Sequence, residues 1–117
     1  MVDPRLEETI HAFVARDVAL VERLRSRRVD VDTPRGIDLH FFAPSLEAVQ
    51  MLVDSLKTIH EGVETVGPPD GDTGQFSVTY TVHQSVRDVT ARAAVEARLR
   101  LAEAIGVVHD GWGTELN

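Results

Sequence analysis

His109-Asp110-Gly111-Trp112-Gly113 carries the only Trp of the chain, set between two glycines and preceded by an acid. An indole ring buries a large area while its N–H seeks one acceptor. Glycines on both sides let backbone approach closely or take positive φ. Ile105-Gly106-Val107-Val108 leads into this stretch, with Gly106 ending a helix, so Val107 to Trp112 reads as a closing strand. That reading decides the fold, because a fourth strand completes the set that the preceding residues begin.

Immediately upstream, Ser85-Val86-Arg87-Asp88 has the spacing of a capped helix start, and one long helix is expected from there to Ile105. Val89, Ala93, Ala94, Ala97, Leu101, Ala104 and Ile105 give it a face of small residues that can sit close on a sheet. Val95 and Leu99 fall on another side, which calls for a second cover such as the first helix. Before it, Gln75 to His83 alternates strictly. Phe76, Val78, Tyr80 and Val82 share one face, while Ser77, Thr79, Thr81 and His83 share the other. Val63 to Val66 is a shorter strand, joined to it by Gly67-Pro68-Pro69-Asp70-Gly71-Asp72-Thr73-Gly74. That segment is hairpin-loop chemistry and lacks the Gly-Lys-Ser/Thr ending of a phosphate loop.

Further upstream, Leu46, Val49, Leu52, Val53, Leu56 and Ile59 form a helical stripe, begun at Ala43-Pro44-Ser45 with either Ala43 or Ser45 as cap and stopped by Gly62. Gly36 to Phe42 alternates as a strand with Ile37, Leu39 and Phe41 against Asp38, His40 and Phe42. The first helix starts at Asp3-Pro4 and carries Leu6, Ile10, Phe13, Val14, Val18, Val21 and Leu24. Arg23, Arg25, Arg27 and Arg28 close it, and they read as a charge-balanced helix end rather than an RNA hook, with Asp30 and Asp32 beside them.

The 117 residues make one domain: a helix over 1–28, then a βαββαβ core over 36–113. That order predicts an α+β, ferredoxin-like two-layer sandwich with an antiparallel four-stranded sheet and an extra N-terminal helix. The first and third strands are expected adjacent and parallel at the centre, with the last strand beside the first.

Composition sets limits. Apolar residues make up 43% and charged residues 26%, ordinary for a globular domain. With no Cys, disulfides and thiolate chemistry are excluded. No apolar run reaches membrane-spanning length and the N-terminus is not leader-like, so the expected location is the cytoplasm. A net charge of −7 opposes direct binding of nucleic acid and suits a basic protein partner.

Catalysis would have to come from His, Ser, Thr and carboxylates, and no Gly-x-Ser-x-Gly context occurs. No enzyme activity, cofactor or metal is expected. His40 and His83, with Asp38 nearby, are the best pair for a metal or small ligand, although imidazoles on a mixed sheet face are ordinary. Asp17 alone among the carboxylates takes an apolar position that could raise its pKa, and Asp110 is read as accepting a backbone N–H in a turn. The sheet face away from the helices presents Asp38, His40, Phe42, Thr79, Thr81 and His83. Phe42 there predicts a cover, either the N-terminal helix or a second copy in a homodimer.

Asp110-Gly111-Trp112, after a helix ending Leu101-Ala102-Glu103-Ala104-Ile105-Gly106, resembles the C-terminal signature of the RraB family, protein regulators of ribonuclease E. Ile37-Asp38-Leu39-His40-Phe41-Phe42 is similar to that family's apolar–acid–His–aromatic strand, with Leu46-Glu47-Ala48 and Gly62 at matching distances. The resemblance runs from about Asp17 to Thr114, with His109 standing where the family usually has Tyr. It implies a non-enzymatic regulator that binds the RNA-degrading endonuclease, through its basic scaffold region, and damps cleavage. Asp110, Gly111, Trp112 and Gly113 are then signature residues with a structural role, Trp112 being the anchor.

Overall fold

The structure, a computed structural model, describes residues 4–114. Helix α1 spans Pro4–Ser26, strand β1 Arg35–Ala43, helix α2 Leu46–Ile59, strand β2 Gly62–Val66 and strand β3 Phe76–Gln84. Short helix α3 is Val86–Thr90, followed by α4 over Arg92–Ile105 and strand β4 over Val108–Gly113. The expected cap at Asp3 lies outside the described residues.

The strands form one sheet in the order β2-β3-β1-β4, and every neighbouring pair is antiparallel. The expected adjacencies hold: β1 and β3 lie side by side at the centre and β4 pairs with β1. Their expected parallel direction is wrong. The chain runs up β1, returns through α2 and rises again in β2, so the hairpin into β3 brings that strand back against β1.

Alternation fixes the two faces. Ile37, Leu39 and Phe41 of β1 and Val78, Tyr80 and Val82 of β3 are buried beneath Leu52, Val53 and Leu56 of α2 and Val86 and Val89 of α3. A second cluster joins Ile10 of α1 to Val95 and Leu99 of α4, with Leu6, Phe13 and Val14 packed around it. This is the second cover that Val95 and Leu99 called for. The same packing removes the N-terminal helix from the open sheet face, where it was one expected cover. Its apolar stripe packs on α4 and α3 instead, except for Val18, which is exposed.

Two local expectations change. The helix expected from Ser85 onward is broken at Ala91, whose backbone is extended, with φ −57° and ψ 137°. Ser85 does cap α3, accepting from the Asp88 N–H at 3.0 Å. The break leaves the Val89 carbonyl free to accept a bond from the Arg98 guanidinium at 2.7 Å. Gly62 does not stop α2, which ends at Ile59; it opens β2. A Cβ there would lie 2.6 Å from the Thr81 carbonyl oxygen and 2.7 Å from the Tyr80 ring, so close approach explains the glycine. At the start of α2, Ser45 is the cap, accepting from the Ala48 N–H at 3.1 Å.

Candidate functional site

The C-terminal strand is organised by a bulge. Leu39 pairs with Trp112 and His40 with Gly111, but Phe41 pairs with His109, leaving Asp110 as the extra residue. Gly111 takes φ 135° to make this possible. Residues three apart on a regular strand face opposite ways. The bulge cancels that, so His109 and Trp112 both turn toward the helices. Asp110 itself is exposed and accepts no backbone N–H among the described residues, contrary to the turn role expected of it.

His109 is 5% exposed and sits within a stack. Its ring lies 4.5 Å from the Phe41 ring on one side and 5.5 Å from Phe13 on the other, and the Arg16 guanidinium caps Phe13 at 4.5 Å. Nδ1–H donates to the His40 carbonyl at 3.0 Å, which leaves Nε2 to accept from Arg98 Nε–H at 3.3 Å. Burial pushes the His109 pKa down to about 4, with the Arg98 charge adding to the effect and the bond to His40 opposing it. The imidazole is therefore neutral at pH 7. Burial also lowers the Arg98 pKa to about 10, against the pull of the Asp17 charge.

Trp112 is partly buried against the core and donates its indole N–H to Asp17 Oδ1 at 3.0 Å. Asp17 is 1% exposed, and its Oδ2 has no hydrogen-bond partner among the described residues. Burial raises its pKa; the bond to Trp112 and the charges of Arg16 and Arg98 pull the other way. The one carboxylate flagged by its place in an apolar stripe is thus a buried acid tied to the only Trp. Asp17, Arg16 and Leu20 of α1 face His40, Asp110 and Trp112 across a cleft of about 290 Å³.

On the open face the structure brings together four of the six singled-out residues. Thr81 Oγ1–H donates to Asp38 Oδ1 at 2.7 Å, and His40 Nδ1 lies 3.3 Å from Thr79 Oγ1. Gly113, opposite Asp38, leaves room beside the His40 ring. Phe42 is 38% exposed and its cross-strand neighbour Val108 56% exposed, so this corner is apolar and uncovered by the described chain.

His83 does not join them. It pairs with Gly36 while His40 pairs with Thr79, so four residue steps, about 13 Å at strand rise, separate the two imidazoles. That corrects the idea that they could share an ion: antiparallel strands put late positions at opposite ends. Among the described residues, no group of three or more His, Asp and Glu could hold a metal.

Two residues that matter were not singled out from the sequence as site residues, Arg98 and His109. The signal was present for Arg98, which sits between Val95 and Ala102 at spacings of three and four on the buried stripe. For His109 the signal was its place in the signature itself.

The family model described as RraB, Regulator of ribonuclease activity B, matches residues 15–114. The chain belongs to the RraB family. The match takes in the whole sheet, α2 to α4 and the second half of α1, so the bulge, the Trp112–Asp17 bond and the open face all lie within the RraB domain. No curated protein matches the chain. No described helix of this RraB-family chain is long and apolar enough to cross a membrane.

Proposed function

We propose that this chain is a non-enzymatic regulator that binds ribonuclease E in the cytoplasm and restrains its cleavage of RNA. The family match over residues 15–114 is the observation that carries the reading. The net charge of −7 adds to it: an acidic domain is drawn to the basic segments with which an RNA-degrading enzyme holds its substrate, and competes there with RNA. The sheet order β2-β3-β1-β4 fits a ferredoxin-like arrangement, whose exposed sheet face is a common place for a partner. On that face Phe42 and Val108 supply an apolar contact, with the Asp38–Thr81 and His40–Thr79 pairs as its polar surround. Gly111, Trp112 and Gly113 serve the architecture that holds this face in shape, while Asp110 is the exposed extra residue of the bulge.

The test is capture of the basic scaffold region of ribonuclease E on the immobilised chain at low and moderate salt, paired with a cleavage assay. Capture that weakens with salt and slowed cleavage are expected. No capture at low salt defeats the reading. A second copy of this chain is the other candidate for the Phe42–Val108 corner, and sedimentation at several concentrations decides between them. A constant monomer mass excludes the homodimer.

A further inference from the structure

The cleft between α1 and the bulge has a chemistry of its own. Its floor includes Asp17, 1% exposed, with one carboxyl oxygen unpartnered among the described residues. An orphaned buried acceptor is costly, and a donor entering the cleft would relieve it. At the rim stands Asp110, exposed and likewise without a hydrogen bond or ion pair among the described residues. The indole of Trp112 forms a wall, and because its N–H is committed to Asp17, what it offers a ligand is its flat ring. Leu20 adds an apolar patch opposite.

Arg16 faces the two carboxylates across the cleft, and the charge of Arg98 reaches Asp17 from outside it. Neither hydrogen-bonds Asp17 Oδ2 or Asp110, so among the described residues two acceptors lack a donor. Arg16 also demonstrates the geometry the rim accepts. Its guanidinium lies 4.5 Å over the Phe13 ring, and its Nη2 is 3.1 Å from where a Cβ on Gly111 would stand. Two separated acceptors beside a flat aromatic wall suit a planar group with several donors better than a point charge.

We propose that this cleft receives one arginine side chain of a protein partner, its guanidinium bridging Asp110 and Asp17 and its plane against Trp112. The proposal rests on the regulator reading for the identity of the partner but not for the chemistry of the site. Buried Asp17 separates this cleft from the scattered surface acids of the chain. A guanidinium reaches that carboxylate only by entering, and the cleft therefore counts single arginines rather than total positive charge.

Trp112 is the only Trp, so its emission reports on the cleft directly. The full chain is titrated with an arginine-rich peptide, with the same peptide carrying citrulline in place of arginine, and with a lysine version. The arginine peptide is expected to give a saturable change in emission. Citrulline should weaken binding about tenfold, or about 1.4 kcal/mol. Asp110→Asn, at an exposed position that leaves the fold intact by circular dichroism, should weaken it about tenfold too. Asp54→Asn, on the outer side of α2, is the control for overall charge and should change little.

An unresponsive Trp112 overturns the proposal, as does equal weakening by Asp110→Asn and Asp54→Asn, or equal binding of the arginine and lysine peptides. Capture of the ribonuclease E region that survives Asp110→Asn leaves the regulator standing and removes the cleft. Saturable arginine-peptide binding without capture of that region does the reverse.

Discussion

Trp112 and Asp17, 95 residues apart in sequence, are joined by a 3.0 Å hydrogen bond that fastens the first helix to the last strand. Removing the ring should therefore loosen more than its own packing. Trp112→Ala loses partly buried aromatic area and strands both oxygens of Asp17, a cost of about 3 kcal/mol. Trp112→Phe keeps most of the area and loses the bond, a cost of about 1–2 kcal/mol. Urea unfolding of both variants checks this, and a Trp112→Phe variant as stable as the parent would show that the bond contributes nothing.

Asp17 gives a pH signature. Burial raises its folded-state pKa above 3.8, so between those two values the folded state holds the extra proton. Stability from this group increases as pH falls through that window and is lost as pH rises. Asp17→Asn keeps an acceptor for the Trp112 N–H and removes the buried charge. It should be about 1 kcal/mol more stable at pH 7. Denaturant midpoints from pH 4 to pH 8 test it, and a variant weaker at every pH would contradict it.

His109 works with the opposite sign. Its pKa moves from about 6.5 in the unfolded chain to about 4 in the fold. Between those values the unfolded state holds the extra proton, so stability falls on acidification from pH 6.5 to pH 4, by on the order of 3 kcal/mol. His109→Phe preserves the stack with Phe13 and Phe41 but cannot titrate. Its baseline should drop, because Arg98 and the His40 carbonyl lose their partner, while its acid slope flattens. An unchanged slope would place the acid sensitivity elsewhere.

Phe42 separates folding from binding. At 38% exposure on the open face it contributes little to the core. Phe42→Ser should shift stability by less than about 1 kcal/mol while weakening capture of the ribonuclease E region severalfold. Unchanged capture would move the interface off this face.

The sequence carried much of this. Strict alternation in Gln75 to His83 and in Ile37 to Phe42 announced both central strands and their buried faces, and the order of elements gave the correct neighbours. Direction was missed, and that single error created the apparent His40–His83 pair. The break at Ala91 is invisible because Val86 to Ile105 has one continuous helical pattern; its consequence is tertiary, a Val89 carbonyl left free for Arg98. Asp17 was legible as an acid in an apolar stripe. Its partner was not, since a bulge at Asp110 had to be known before Trp112 could be placed on the helix side.

That one surplus residue makes the tail of the chain sensitive to parity. In a loop, deleting a residue shortens a connection. Deleting Asp110 would instead remove the bulge and leave His109 and the indole two positions apart on a regular strand, so both would still face the helices. Keeping the residue without the bulge, or inserting a second residue beside it, would put them on opposite sides, and α1 would lose either its aromatic stack or its hydrogen bond. Spacing at this position is thus under tighter constraint than identity: many residues could stand at 110, but the strand must absorb whichever one does in a bulge.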